Sequence, residues 1–83
     1  MTVKARERAW IRVRGDGKLV TQGIMDPEVA GAREREFHAR EQMVLLVGNA
    51  GGIEITFNGK PLGQLGPEGA RRLVTFTPEG MQQ

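Results

Sequence analysis

Few residues of this 83-residue chain could perform catalysis. The sequence has one histidine, His38, and no serine, cysteine or tyrosine, so the usual nucleophile–base pairs cannot be assembled. Asp16 is explained by a turn and Asp26 by a helix start, while the glutamates are interleaved with arginines as on a solvated face. If Phe37 points into the core, His38 points outward. We therefore predict a protein that is not an enzyme, with no catalytic residue, no metal site and no cofactor.

One segment imitates a phosphate-binding turn. The apolar run Met43–Val47 leads into the glycine-rich residues 48–52, as in the strand-to-glycine turn of a nucleotide-binding unit. A phosphate-binding turn must open a helix whose N-terminal N–H groups hold the anion, but Ile53–Phe57 alternates like a strand. The sequence therefore predicts a hairpin connection here, with glycines at positive φ.

Trp10, Arg12 and Arg14 are the candidate partner contacts. They alternate with Ile11 and Val13, which places them on one face of a strand. An aromatic side chain among cations is a suitable anchor for a protein or sugar partner. The alternative is that the single tryptophan packs against its own domain, with arginine stems lying over it. Both interpretations stay open at the level of sequence.

Two hairpins position these residues. The dipeptides Asp16-Gly17 and Asn58-Gly59 are strong signals for two-residue turns, because both central positions of a type I′ turn need positive φ. Each follows a strand of alternating pattern, and strand two is expected over residues 19–24. Further strands are predicted over residues 35–39, 43–47 and 73–77, with residues 43–47 as the central strand.

The predicted fold is all-β, a small antiparallel β-sandwich of about seven strands with at most one short helical turn. That turn is expected at Asp26, which is followed by proline and glutamate, and should end at Gly31. The predicted core consists of large apolar residues at alternating strand positions: Ile11, Val13, Leu19, Phe37, Leu45, Val47, Ile53, Ile55, Phe57, Leu62, Val74 and Phe76.

Composition agrees with one folded domain. Apolar residues make up 39% and charged residues 27%, with a formal net charge of only +2. The longest apolar run is far too short to span a bilayer, and the charged first residues lack the apolar stretch of a signal peptide, so we expect the isolated chain to be soluble. We predict a flexible segment at residues 1–7, a folded domain at residues 8–78 and a flexible tail at residues 79–83.

Several motifs together resemble the C-terminal domain of the bacterial cell-shape protein family RodZ. The resemblance covers about residues 8–77, and residues 26–32 look like a short insertion. The matching blocks, in order, are Trp10-Ile11-Arg12-Val13, Asp16-Gly17-Lys18, Gly48-Asn49-Ala50-Gly51-Gly52, Asn58-Gly59-Lys60-Pro61-Leu62-Gly63, Leu65-Gly66 and Gly69. The helix-turn-helix, membrane span and linker of that family are expected in a longer parent chain.

The resemblance implies an extracytoplasmic domain of a single-pass membrane protein, on the periplasmic or cell-wall side. Its partners would be proteins of the cell-wall elongation machinery, and the parent would link the MreB cytoskeleton to cell-wall synthesis. Two alternatives remain: a carbohydrate-binding domain, with Trp10 stacked on peptidoglycan, and a nucleic-acid-binding domain that uses Arg12, Arg14, Arg71 and Arg72. Low net charge and few aromatic residues make nucleic acid the weaker candidate.

Overall fold

The computed structural model describes the backbone of residues 1–82 and the side chains of residues 1–80. The described residues form nine β-strands and one 3-10 turn. The strands are β1 (Thr2–Ala5), β2 (Ala9–Gly15), β3 (Lys18–Met25), β4 (Glu34–Glu36), β5 (Met43–Val47), β6 (Ile53–Phe57), β7 (Lys60–Gly63), β8 (Arg72–Thr77) and β9 (Gly80–Gln82). The predicted all-β class is confirmed, with more strands than the seven expected.

The strands make two antiparallel sheets that pack face to face. The smaller sheet has the order β4-β1-β6-β7, and the larger one has the order β3-β2-β5-β8-β9. Strand β5 lies at the centre of the larger sheet, as its near-continuous apolar sequence predicted. Alternate residues of β1, β2, β5, β6 and β8 point between the sheets and form most of the core.

Both predicted two-residue turns are present. Asp16 and Gly17 have φ of 51° and 82°, and Asn58 and Gly59 have φ of 52° and 76°. These positive values match the type I′ geometry that favours Asn-Gly and Asp-Gly. The first turn joins β2 to β3 and the second joins β6 to β7.

The core contains most of the predicted residues, but the prediction for Leu19 is wrong. A bulge between Val13 and Arg14 shifts the pairing of β2 with β3, so Leu19 lies opposite Arg14 and is 55% exposed. Phe57 and Leu62 are only partly buried, packed against the edge of the core. Buried residues that the prediction missed include Met1, Val3, Ala5, Ala9, Met25, Met43, Ala50 and Leu65.

The two chain ends differ from the flexible segments predicted. Strand β1 occupies an interior position between β4 and β6, and Val3 is fully buried. The nitrogen of Met1 donates a hydrogen bond to the Phe37 carbonyl at 2.8 Å. At the other end β9 pairs with β8, while Gln83 lies outside the described residues. The signal for β1 was the alternation of Met1, Val3 and Ala5 with Thr2 and Lys4, which the prediction of a charged, flexible opening overlooked.

The predicted helical turn is also absent from its expected place. Residues 26–32 form successive turns, in which Asp26 Oδ1 accepts a hydrogen bond from the Glu28 amide at 2.9 Å. The Asp26 side chain therefore organises a turn rather than a helix start. The 3-10 turn lies at Ala50–Gly52 instead. The strand predicted at residues 35–39 is shorter and earlier, at Glu34–Glu36.

The glycine-rich segment is neither a hairpin nor a region of positive φ. It carries the chain from β5 in the larger sheet to β6 in the smaller one, and Gly48, Gly51 and Gly52 all lie outside the positive-φ set. A Cβ atom on Gly51 would lie 2.4 Å from the Glu68 amide nitrogen. Glycine is required there by close backbone contact, which the turn-type argument did not consider.

Candidate partner-binding face

The predicted contact residues Trp10, Arg12 and Arg14 lie side by side on the outward surface of the larger sheet. Ile11 and Val13 are buried between the sheets, so the residues that alternate with them point away from the core. The structure thus brings the three residues together as their spacing predicted.

Neighbouring strands extend this surface in three rows. Trp10 pairs with Ile24; Gln22, Arg12, Leu46 and Leu73 form the second row; Leu19, Arg14, Val44 and Thr75 form the third. We call these ten residues the outer face. It spans four of the five strands of the sheet, and its centre is occupied by the pair Arg12–Leu46.

Apolar side chains make up much of the outer face. Leu73 is 62% exposed, Leu19 55% and Ile24 46%, whereas Leu46 at the centre is buried and Trp10 is half-buried. These aliphatic residues are not among the contact residues predicted from the sequence. The available signal was the alternation with Leu45 and Val74, which places Leu46 and Leu73 outward. The exposed Leu19, Ile24 and Leu73 lie in different rows or strands, with the less exposed Trp10, Val44 and Leu46 among them, so apolar side chains are spread across the face.

The two arginines of the outer face have no ion-pair or hydrogen-bond partner in the part of the chain that the structure describes. Arg12 is half-buried and Arg14 exposed, and among the described residues neither side chain forms an ion pair or a hydrogen bond. None of the ten outer-face residues has a carboxylate, so the charge of this face comes from the two arginines and is positive. An opposite charge supplied from outside would be favourable at both positions.

The outward surface of the smaller sheet has the opposite character. There Lys4 lies between Glu34 on β4 and Glu54 on β6, and Arg6 donates to Glu54 Oε1 at 2.6 Å. Mixed charges that neutralise one another are typical of a solvated surface. The two surfaces of the sandwich therefore differ, and only the outer face combines apolar side chains with unpaired charge.

Comparison with protein families identifies this architecture. A model of the RodZ C-terminal domain matches residues 2–77. The chain belongs to the RodZ C-terminal domain family. The match starts at residue 2, so β1 is part of the family domain, although the sequence resemblance was placed from about residue 8. A search of curated proteins and a search of solved structures gave no significant match.

Other chemistry-bearing residues of this RodZ-type domain are placed apart from the outer face. His38 is exposed, and its Nε2 lies 3.0 Å from Glu36 Oε1. Within residues 1–82 no cluster of three histidine, cysteine or acidic residues could hold a metal ion. Arg72 is tied to its own domain, because its Nε donates to the Leu65 carbonyl at 3.0 Å.

One end of the sandwich has a depression of about 240 Å³. Its floor includes Phe37 and Phe76, which are only 4% and 1% exposed. The aromatic rings are thus covered, and the depression offers little apolar surface. None of the described residues lies in a helix that is long and apolar enough to cross a membrane.

Proposed function

We propose that this domain is a non-catalytic, extracytoplasmic interaction module of a membrane-anchored cell-shape protein. In this role the parent protein links the MreB cytoskeleton to cell-wall synthesis, and the domain contacts a protein of the cell-wall elongation machinery. Membership of the RodZ C-terminal domain family supports this assignment.

The observation that carries the proposal is the asymmetry of the sandwich. Leu73, Leu19 and Ile24 are exposed on the outer face, and burying such side chains on a partner would stabilise a complex by roughly 25 cal/mol for each Å² of apolar surface removed from water. The opposite surface carries Lys4 between Glu34 and Glu54 and has no comparable apolar patch. A partner is therefore expected on the outer face.

The residue inventory agrees with binding rather than catalysis. The sequence has no serine, cysteine or tyrosine, and its one histidine, at the edge of the depression, is exposed beside Glu36. The half-buried Trp10 fits the binding role and the packing role at once, because its strand neighbour Ile24 is itself 46% exposed.

Complementation with the full-length parent tests the proposal. In a strain depleted of the wild-type protein, Leu73→Glu should fail to restore rod shape, because a charge is placed where the partner's apolar surface would lie. Leu73 is 62% exposed, so the variant should fold with an unchanged melting temperature.

Val29→Glu is the matched control. Val29 is 50% exposed but lies in the loop of residues 26–32, away from the outer face, so this variant should restore rod shape fully. Full rescue of rod shape by Leu73→Glu would show that the outer face is not needed for the proposed function.

A further inference from the structure

We infer that the outer face binds an extended segment of a partner protein that carries carboxylates at alternate positions, flanked by apolar residues. This inference rests on the proposed function and names the chemistry of the partner. It follows from the arrangement of Arg12 and Arg14 within their apolar surroundings.

The spacing of the arginines sets the spacing of the carboxylates. Arg12 and Arg14 are successive outward residues of β2, so their Cα atoms are about 6.6 Å apart. Outward side chains of any extended segment repeat at the same interval. Two acidic residues separated by one position can therefore reach both guanidinium groups, each as a charge-assisted pair.

The neighbours of the arginines specify the flanking residues. Leu46 and Leu73 lie beside Arg12 in the same row, and Trp10 and Ile24 follow in the next row. A partner segment whose carboxylates lie over both arginines must run along β2, so its residue beyond the Arg12 contact would lie over Trp10 and Ile24, while Leu46 lies beside that contact on the neighbouring strand. Apolar flanks would be buried there, whereas polar ones would lose water without gaining partners.

The same surroundings disfavour other ligands. Nucleic acid binds through stacked aromatic side chains and a basic groove, but the outer face has a single aromatic residue and aliphatic neighbours. Two arginines are also fewer cations than an anionic membrane surface usually attracts. A second copy of the domain could offer Glu34 or Glu54, yet these already lie beside Lys4 and have no apolar flanks.

Peptide titration followed by NMR tests the inference. The probe is a capped peptide of about seven residues with glutamate at two alternate positions and leucine or valine around them. It should shift the amide signals of Trp10, Arg12, Arg14, Leu46 and Leu73, and its affinity should fall as salt is raised.

Three controls belong with the probe. The same peptide with glutamine at both positions should bind about tenfold more weakly, since two partly exposed ion pairs are lost. The double variant Arg12→Gln/Arg14→Gln should show the same loss and should bind both peptides equally. A peptide with two adjacent glutamates should bind with an affinity between those of the other two peptides, because only one of its carboxylates can reach an arginine at a time.

Several results would overturn the inference. Equal affinities of the glutamate and glutamine peptides would show that ion pairs with Arg12 and Arg14 do not contribute to binding. Chemical shift changes produced only by a single-stranded oligonucleotide or by phosphatidylglycerol vesicles would show that the outer face binds another class of ligand. Concentration-dependent dimerisation through the same residues would show that the outer face binds a second copy of the domain.

The complementation assay separates this inference from the proposed function. If the peptide controls fail while Leu73→Glu still abolishes rescue, the face is a docking surface of different chemistry. If the peptide binds as expected while Leu73→Glu rescues fully, the chemistry stands and the proposed function fails.

Discussion

At the scale of single residues, Asp16 does more than its turn position indicated. Its dihedral angles belong to the predicted type I′ turn, but its carboxylate also accepts hydrogen bonds from the backbone amides of Arg40, Glu41 and Gln42 at 2.8–3.0 Å. These amides, Arg40 first, hold the pKa of Asp16 below its ordinary value of 3.8. Asp16 thereby fixes the chain that enters central strand β5.

Because the pKa of Asp16 is lower in the folded protein, the contribution of Asp16 to the free energy of unfolding depends on pH. Because the folded protein favours the carboxylate, the contribution is fully present above pH 3.8 and is lost as the pH falls through the lowered pKa of the folded state. Asp16→Asn keeps a residue that tolerates the turn but has a single, neutral acceptor oxygen. We expect the variant to melt below wild type at pH 7, with a gap that narrows in strong acid.

Melting curves of both proteins from pH 7 to pH 2 would measure this gap. The amides of residues 40–42 should also exchange with solvent faster in the variant at neutral pH. A gap that stays constant across the pH range would show that the carboxylate charge contributes nothing.

At the scale of elements, the connection from β5 to β6 depends on close backbone approach. Gly51 contacts the backbone of Pro67 and Glu68, and its N–H donates to the Pro67 carbonyl at 3.1 Å. Asn49 strengthens the same junction, because its Oδ1 accepts the Gly69 amide at 2.7 Å. These hydrogen bonds therefore hold the loop that precedes β8 against the segment that connects β5 to β6.

Gly51→Ala should destabilise the domain by about 1–3 kcal/mol, since the new methyl group meets backbone atoms that cannot rotate away. Gly48→Ala is the matched control in the same segment. Its Cβ would lie 3.6 Å from Trp10, an ordinary van der Waals contact, so its midpoint in urea denaturation should stay close to wild type. Equal midpoints for the two variants would contradict the close-approach explanation.

At the scale of the whole molecule, β1 joins the first residues to two distant segments. It pairs with β4 on one side and β6 on the other, and Val3 and Ala5 enter the core. A chain that starts at residue 7 leaves β4 and β6 without their shared neighbour and opens the core. We expect it to lose cooperative unfolding, as measured by circular dichroism during heating.

A point substitution in the full-length chain tests the contribution of β1 without shortening the protein. Val3→Asp should be as damaging as the truncation, because an unpaired charge is buried. Lys4→Gln on the exposed side of the same strand should leave the melting temperature nearly unchanged. A truncated chain that melts like wild type would show that the domain does begin near residue 8.

The sequence by itself determined the local structure and the residue chemistry. Period-two alternation predicted β2 and β6, and a near-continuous apolar run predicted β5. The Asp-Gly and Asn-Gly dipeptides predicted both turns, because all these signals act within a few residues. The candidate contact residues Trp10, Arg12 and Arg14 share one face for the same reason. Composition also led to the prediction that the chain is not an enzyme, which stays a prediction.

Only the tertiary structure decided which strands are neighbours and which surfaces stay open. A bulge turned Leu19 from the core to the outer face, and β1 became an interior strand by pairing with residues at least 30 positions away. Leu46 and Leu73 meet Arg12 only because β5 lies between β2 and β8. Such pairings depend on the packing of the whole chain, which no local pattern records.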